Sequence, residues 1–155
     1  MSDVAPAIVA ADLQTSKVVD VVLTSNTCVV IPFTTFIENS GSFAFASSGD
    51  GTFTMPNNGT YQITLTARLL NSADTKSGPV QIVAFMAYSG ISIVNTPVVF
   101  SVKPGNSTCV ASFTVMGYQA GTEISACLQT ESSVLSLTTP IDSDYAPADL
   151  NIKLV

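Results

Sequence analysis

The sequence predicts an all-β fold, an antiparallel β-sandwich or barrel of about ten short strands in a single domain. Three observations predict it. Valine, isoleucine and threonine number 18, 10 and 18 among 155 residues, and branched side chains suit a pleated sheet better than a helix. Across 60–70 the residues alternate: Tyr61, Ile63, Leu65, Ala67 and Leu69 point one way, Thr60, Gln62, Thr64, Thr66 and Arg68 the other. Turn signals recur at roughly 8–12-residue intervals along most of the chain.

Residues 1–16 read as an N-terminal arm, free to move or to add a strand to a neighbour, and 17–155 as the sandwich domain. Alanine and leucine make 4–13 the one helix candidate, but Pro6 and the lack of an apolar stripe weigh against it. Strands are expected at 18–23, 28–33, 42–46 and 51–55. The turn Pro56-Asn57-Asn58-Gly59 follows, since asparagine and glycine accept positive φ and proline cannot donate to a ladder. The alternating run 60–70 is a strand with one dry and one polar face. Further strands are expected at 80–89, 91–102, 108–116, 122–130, 134–138 and 149–155, with breakers at 71–79, 89–90, 103–106 and 118–121. Pro97 inside the run 91–102 marks an edge or a bulge. Residues 149–155 are expected inside the sheet, not trailing in solvent.

Composition narrows the function. Hydrophobic residues make up 46 % of the chain and charged ones 10 %, against a usual charged share of about 25 %. Such a chain buries enough apolar surface to fold. Lys17, Arg68, Lys76, Lys103 and Lys153 are scattered singly and the net charge is −6, so no basic face is predicted and direct nucleic-acid binding is not expected. Histidine is absent, which removes the commonest general base and metal ligand. The neighbours Lys76-Ser77 and the pair Ser101 and Lys103 come without an oxyanion loop, and Glu38, Glu123 and Glu131 are scattered. The chain therefore reads as a non-enzyme. Cys28, Cys109 and Cys127 fit neither a metal nor a redox spacing and read as small buried hydrophobes. No secretory signal is recognised at the N-terminus, and apolar runs are too short for a membrane-spanning helix.

Two features offer ligand chemistry. Asp142-Ser143-Asp144, with Asp149 a few residues on, supplies oxygen donors of the kind calcium takes, without the glycine and glutamate of an EF-hand. A solvated acidic loop explains the same residues, as turn chemistry explains Asp50 beside Gly51. No cofactor is expected beyond that calcium candidate. Asn58-Gly59-Thr60 and Asn106-Ser107-Thr108 match the glycosylation sequon and sit in expected turns, where an ordinary turn asparagine serves equally.

The stretch from Gly51 through Phe53, Pro56 and Gly59 to Tyr61 has the pattern G-x-F-x-x-P-x-x-G-x-Y. It resembles the signature of C1q/TNF-like jelly rolls. Ile31-Pro32-Phe33 with Glu38-Asn39-Ser40-Gly41 resembles the family's first strand and following loop. Ala120-Gly121-Thr122-Glu123-Ile124 resembles its A-G-D-x-V element, with Thr122 in place of the aspartate, and the closing 150–155 resembles its terminal strand. The resemblance covers roughly 29–155; the phenylalanine-glycine ending and a collagen-like repeat are absent. It implies a homotrimer packed edge to face around a three-fold axis. Tyr61, Phe85, Phe113 and Tyr118, with Phe33, are the aromatics that such an interface would draw on, although sandwich core is the stronger reading of each. Some relatives bind calcium, which is the family's bearing on the acidic loop.

The expected function is a structural protein: a trimeric jelly-roll component of a virus particle, as spike, fibre head or coat subunit. Its partners would be its own copies, up to a larger shell, with other virion proteins or a host receptor, and its location a virion or other extracellular particle. The absence of a recognised leader, chain ends close to the domain and sparse charge favour this. The alternative is a C1q/TNF-like recognition head that binds a cell-surface receptor or glycan through loops 71–79 and 139–147.

Overall fold

The structure is a computed structural model that describes residues 8–17, 20–46, 51–74, 76–88, 91–93, 96–132, 134–138 and 145–155. The long alternating run forms strand β7 (Gly59–Asn71), and the first sheet is arranged around it. β11 (Gly105–Tyr118) pairs along one side of β7. Along the other side, β14 (Ala148–Leu154) pairs with 61–67 and β13 (Leu135–Thr138) with 69–71. β2 (Asp20–Val22) adds to β13. β1 (Ala10–Thr15) adds to β14, and β4 (Phe33–Ser40) to β1.

The second sheet centres on β12 (Glu123–Thr130). It is flanked by β8 (Val80–Tyr88) on one side and by β3 (Val29–Val30) and β6 (Phe53–Thr54) on the other. β10 (Val98–Val102), β9 (Ile91–Ser92) and β5 (Ala44–Phe45) complete it. All named strand pairs are antiparallel, and no helix occurs among the described residues.

The core lies between the sheets. Tyr61, Ile63, Leu65, Ala67 and Leu69 of β7 face Ile82, Ala84 and Met86 of β8 and Ile124, Ala126 and Leu128 of β12, all fully buried in one cluster. Burying each large aliphatic side chain here contributes about 1.5–3 kcal/mol.

The G-x-F-x-x-P-x-x-G-x-Y segment has a physical basis in this packing. Gly51 has φ +92°, and a Cβ there would stand 2.2 Å from the Ile31 carbonyl oxygen, so no other residue fits. Phe53 is fully buried, and Gly59 takes φ +141° against Leu154. Tyr61 fills the core edge-on to Phe43, at 6.0 Å between centroids. Its hydroxyl closes the turn: it donates to the Asn57 carbonyl at 2.7 Å and accepts from the Asn57 N–H at 3.0 Å.

Three expectations differ from the structure. The segment expected as an arm contains β1, placed between β14 and β4. Ala11, Leu13 and Thr15 alternate inward there, a period hidden by residue types with little strand preference. The run 28–33 divides at Pro32: β3 belongs to one sheet and β4, starting at Phe33, to the other. β4 then continues to Ser40, through residues expected as a loop. The run 91–102 breaks before Pro97, where buried Thr96 turns the chain: its hydroxyl donates to the Ile93 carbonyl at 2.7 Å and accepts from the Met86 N–H at 3.2 Å.

β14 sits between β7 and β1 with Leu150 and Ile152 buried, so 149–155 lies in the sheet as expected. Deleting residues 150–155 removes a central strand and should abolish the cooperative thermal transition; a soluble, cooperatively melting truncation would contradict this placement. Tyr61 gives a second test. Burial, opposed in part by the Asn57 backbone hydrogen bond, pushes its hydroxyl above the ordinary value of 10.0. The folded state thus holds this proton more tightly than the unfolded chain, and that stability is intact below about pH 10 and lost as the pH rises beyond it. Tyr61→Phe should cost about 1 kcal/mol in neutral urea melts and make the alkaline loss of stability shallower.

Candidate subunit interface

The outer face of the first sheet is built from the residues that alternate away from the core. Strand register aligns them in rows across β11, β7, β14, β1 and β4. One row is Val110, Thr66, Asp149, Gln14 and Thr35; the next is Ser112, Thr64, Asn151, Asp12 and Glu38. Hydroxyls and amides thus cover most of this face, which keeps it wettable with little charge.

Its one cation-centred cluster surrounds Arg68, the chain's only arginine. Arg68 Nη1 donates to Asp149 Oδ2 at 2.9 Å and to the Ala146 carbonyl at 2.6 Å, and its Cζ lies 4.8 Å from the Tyr145 ring centroid. The Arg68 backbone N–H donates to the Pro147 carbonyl at 2.8 Å. Nearby, Asn151 Nδ2 donates to Asp12 Oδ1 at 2.6 Å. Beside these runs a groove of about 390 Å³, whose walls include Ile37, Thr64, Thr66 and Tyr145. Ile37 reaches it because the β1–β4 register slips between Asp12 and Leu13, leaving Ile37 outside the ladder and exposed.

The edges of this sheet are unequal. β4 carries Glu38 and two register irregularities, both of which blunt an edge. β11 is 14 residues long, without a charge or a proline, and among the described residues its only ladder partner is β7. Its register is regular over 105–115 and breaks between Val115 and Tyr118. Val110 is 55 % exposed and Met116 64 %. A long, flat, uncharged edge offers a row of unpaired N–H and C=O groups to another chain.

The expected interface aromatics are distributed differently. Tyr61, Phe113 and Phe33 lie in the core, because each occupies an inward position of its strand. Phe85 is buried on the opposite side of the second sheet, with Ala87 and Cys127, under Cys28, Val30 and Val83. Tyr118 alone stands at the β11 edge, half-buried, its ring 6.0 Å from that of exposed Tyr88.

Of the calcium candidates, Asp142 and Asp144 lie outside the described residues, as does Asp50. Asp149 is committed to Arg68, and a guanidinium beside a carboxylate opposes a second cation there. Among the described residues no group of three acidic, cysteine or histidine side chains converges. Asn58, from the first sequon, accepts from the Ala120 N–H at 2.7 Å and so joins two turns. Asn106, from the second, stands in β11 and not in a turn. In the expected recognition loops, Asn71 is buried and donates to the Val102 carbonyl at 2.9 Å, and Asp74 Oδ1 accepts from the Lys76 N–H at 3.0 Å; 75 and 139–144 lie outside the described residues.

Sequence reasoning missed the Arg68–Asp149 pair and the β11 edge. Both left signals: a single arginine on the polar face of one strand with an aspartate beginning another, and an uncharged stretch from Gly105 to Tyr118.

No family model matches the chain, and no curated protein matches it. Among solved structures it is similar to the TNF Eiger of S. frugiperda, with a TM-score of 0.57 and 13 % identity over 97 % of this chain and 94 % of that one. At this identity the likeness is one of fold. The chain has a TNF-like jelly-roll fold, the two antiparallel sheets described above.

Arg68→Ala should cost about 2 kcal/mol in urea denaturation, the size of a lost charge-assisted hydrogen bond, and Arg68→Lys should recover part of it. An Arg68→Ala protein as stable as the parent would remove the cluster from the account.

Proposed function

We propose that this chain is a self-assembling structural protein: a homotrimeric jelly-roll block in which the β11 edge of one copy packs against the outer face of the first sheet of the next. The observation that carries the reading is β11 itself, a 14-residue edge with exposed Val110 and Met116 and no charge to keep another chain away. On the receiving face Arg68 is already paired with Asp149, which spares that cation the desolvation of an unpaired charge; Asp12, Glu38 and Lys153 add the rest of its charge. A mean hydropathy of +0.45 with 10 % charged residues is high for a chain that must cover itself alone. In a particle, sparse charge also lowers repulsion between closely packed copies. We assign the block to a virus particle, as spike, fibre head or coat subunit, with its own copies and other virion proteins as partners. Five scattered cations argue against direct contact with the genome.

A second reading is a recognition head that binds a cell-surface receptor or glycan. The likeness to a TNF across 97 % of the chain favours it. Loops 71–79 and 139–147 would carry its specificity.

Charge placed on β11 tests the assembly. Val110→Asp and Thr114→Lys point outward, so each should reduce the mass measured by light scattering behind a sizing column. The subunit's thermal transition should persist. Variants that keep the parental mass would overturn β11 as the contact. For the second reading, a purified trimer that captures no sister trimers but binds a glycan or cell-surface ectodomain would displace the particle.

A further inference from the structure

Cys28 and Cys127 are 99 positions apart in the chain and adjacent in space. The β3–β12 register pairs Val30 with Cys127 and Val29 with Leu128. Side chains two apart share a face of a strand, so Cys28 lies on the face of Val30, diagonal to Cys127. Cys28, Val30 and Val83 pack over Phe85, Ala87 and Cys127 on the outer side of the second sheet. Cys28 is half-buried and Cys127 fully buried. Cys28 packs against the cluster that contains Cys127. Cys109 is on β11 in the other sheet, half-buried and packed against the main core, so it belongs to neither group.

We infer that Cys28 and Cys127 form a dithiol modification site that closes to a disulfide on reaction with a small-molecule disulfide of the glutathione class, fastening the segment before β3 to the centre of the second sheet. The sulfurs must close to about 2.05 Å. The movement falls on Thr27 and Cys28, between the Asn26 N–H bond to the Thr130 carbonyl at 2.7 Å and the two-residue ladder of β3, where Asn26 turns the chain at φ +57°. The accessible Cys28 reacts first. Its thiolate attacks one sulfur of oxidised glutathione, forming a mixed disulfide and expelling a glutathione thiolate that takes up the proton Cys28 lost. Cys127 then attacks the Cys28 sulfur, forms the protein disulfide and releases the second glutathione, again with transfer of its proton. Two protein thiols are oxidised by two electrons and one glutathione disulfide is reduced to two thiols. Burial, with the neighbouring Cys28 thiol adding to it, pushes the Cys127 thiol well above its ordinary value, which makes the second attack the slower one. The site faces away from the first sheet, so closure is compatible with assembly through β11.

The test uses the full chain, reduced and then incubated below its thermal transition in equal parts of reduced and oxidised glutathione. It is then acid-quenched, unfolded, alkylated and peptide-mapped. Free thiols should fall from three to one, with the mass lower by two hydrogens and one cross-linked peptide containing Cys28 and Cys127. Cys109→Ser should still form the link. Cys28→Ser, a conservative change at a half-buried position, should keep the parental melt and both remaining thiols. Three free thiols, a link through Cys109, or a glutathione adduct on Cys28 that never resolves would each overturn the proposal.

Discussion

Strand β7 is the constraint on which the rest depends. It is hydrogen-bonded along both sides, to β11 on one and to β14 and then β13 on the other. Its five inward side chains, from Tyr61 to Leu69, are as buried as any in the molecule. A strand used on both edges and one face cannot slip: a one-residue shift would turn Ile63, Leu65 and Leu69 to solvent and bring Gln62, Thr64 and Arg68 into the core. The turn that precedes it is closed by the Tyr61 hydroxyl on Asn57, so the strand's register is set at its first residues.

What β7 leaves over defines the surface. Its outward residues, aligned with those of β11, β14, β1 and β4, make a face of hydroxyls and amides that also carries the Arg68–Asp149 pair, Lys153, Asp12 and Glu38. β11 is the neighbour that β7 supports on only one side, and over 105–115 neither a charge nor a register shift blunts its edge. Face and edge are thus products of the same pairing. On the second sheet, Phe85, Ala87 and Cys127 form a small apolar cluster with Cys28, Val30 and Val83, while Ile91 and Val99 stay exposed.

Much of this was legible in the residues. Period-two alternation located β7, which has one dry face, while turn signals and branched residues located β8, β12 and β14. β1 was not legible: Ala10, Asp12 and Gln14 carry little strand preference, and its burial depends on partners from both ends of the chain. The division at Pro32 was hidden because an uninterrupted apolar run does not say which sheet each half joins. Aromaticity misled at Tyr61 and Phe113, since a large ring suits a core as well as an interface and only strand parity, read in three dimensions, separates the two. Edge status, the property that most bears on function, belongs to topology and not to any local pattern.

The central claim is that the open side of the first sheet is filled by further copies of this chain. The native mass in solution, measured by light scattering behind a sizing column, tests it most directly. The account predicts a mass of about three times the 16.1 kDa subunit, or a multiple of that trimer in a closed particle. A clean monomer across the accessible concentration range would contradict it.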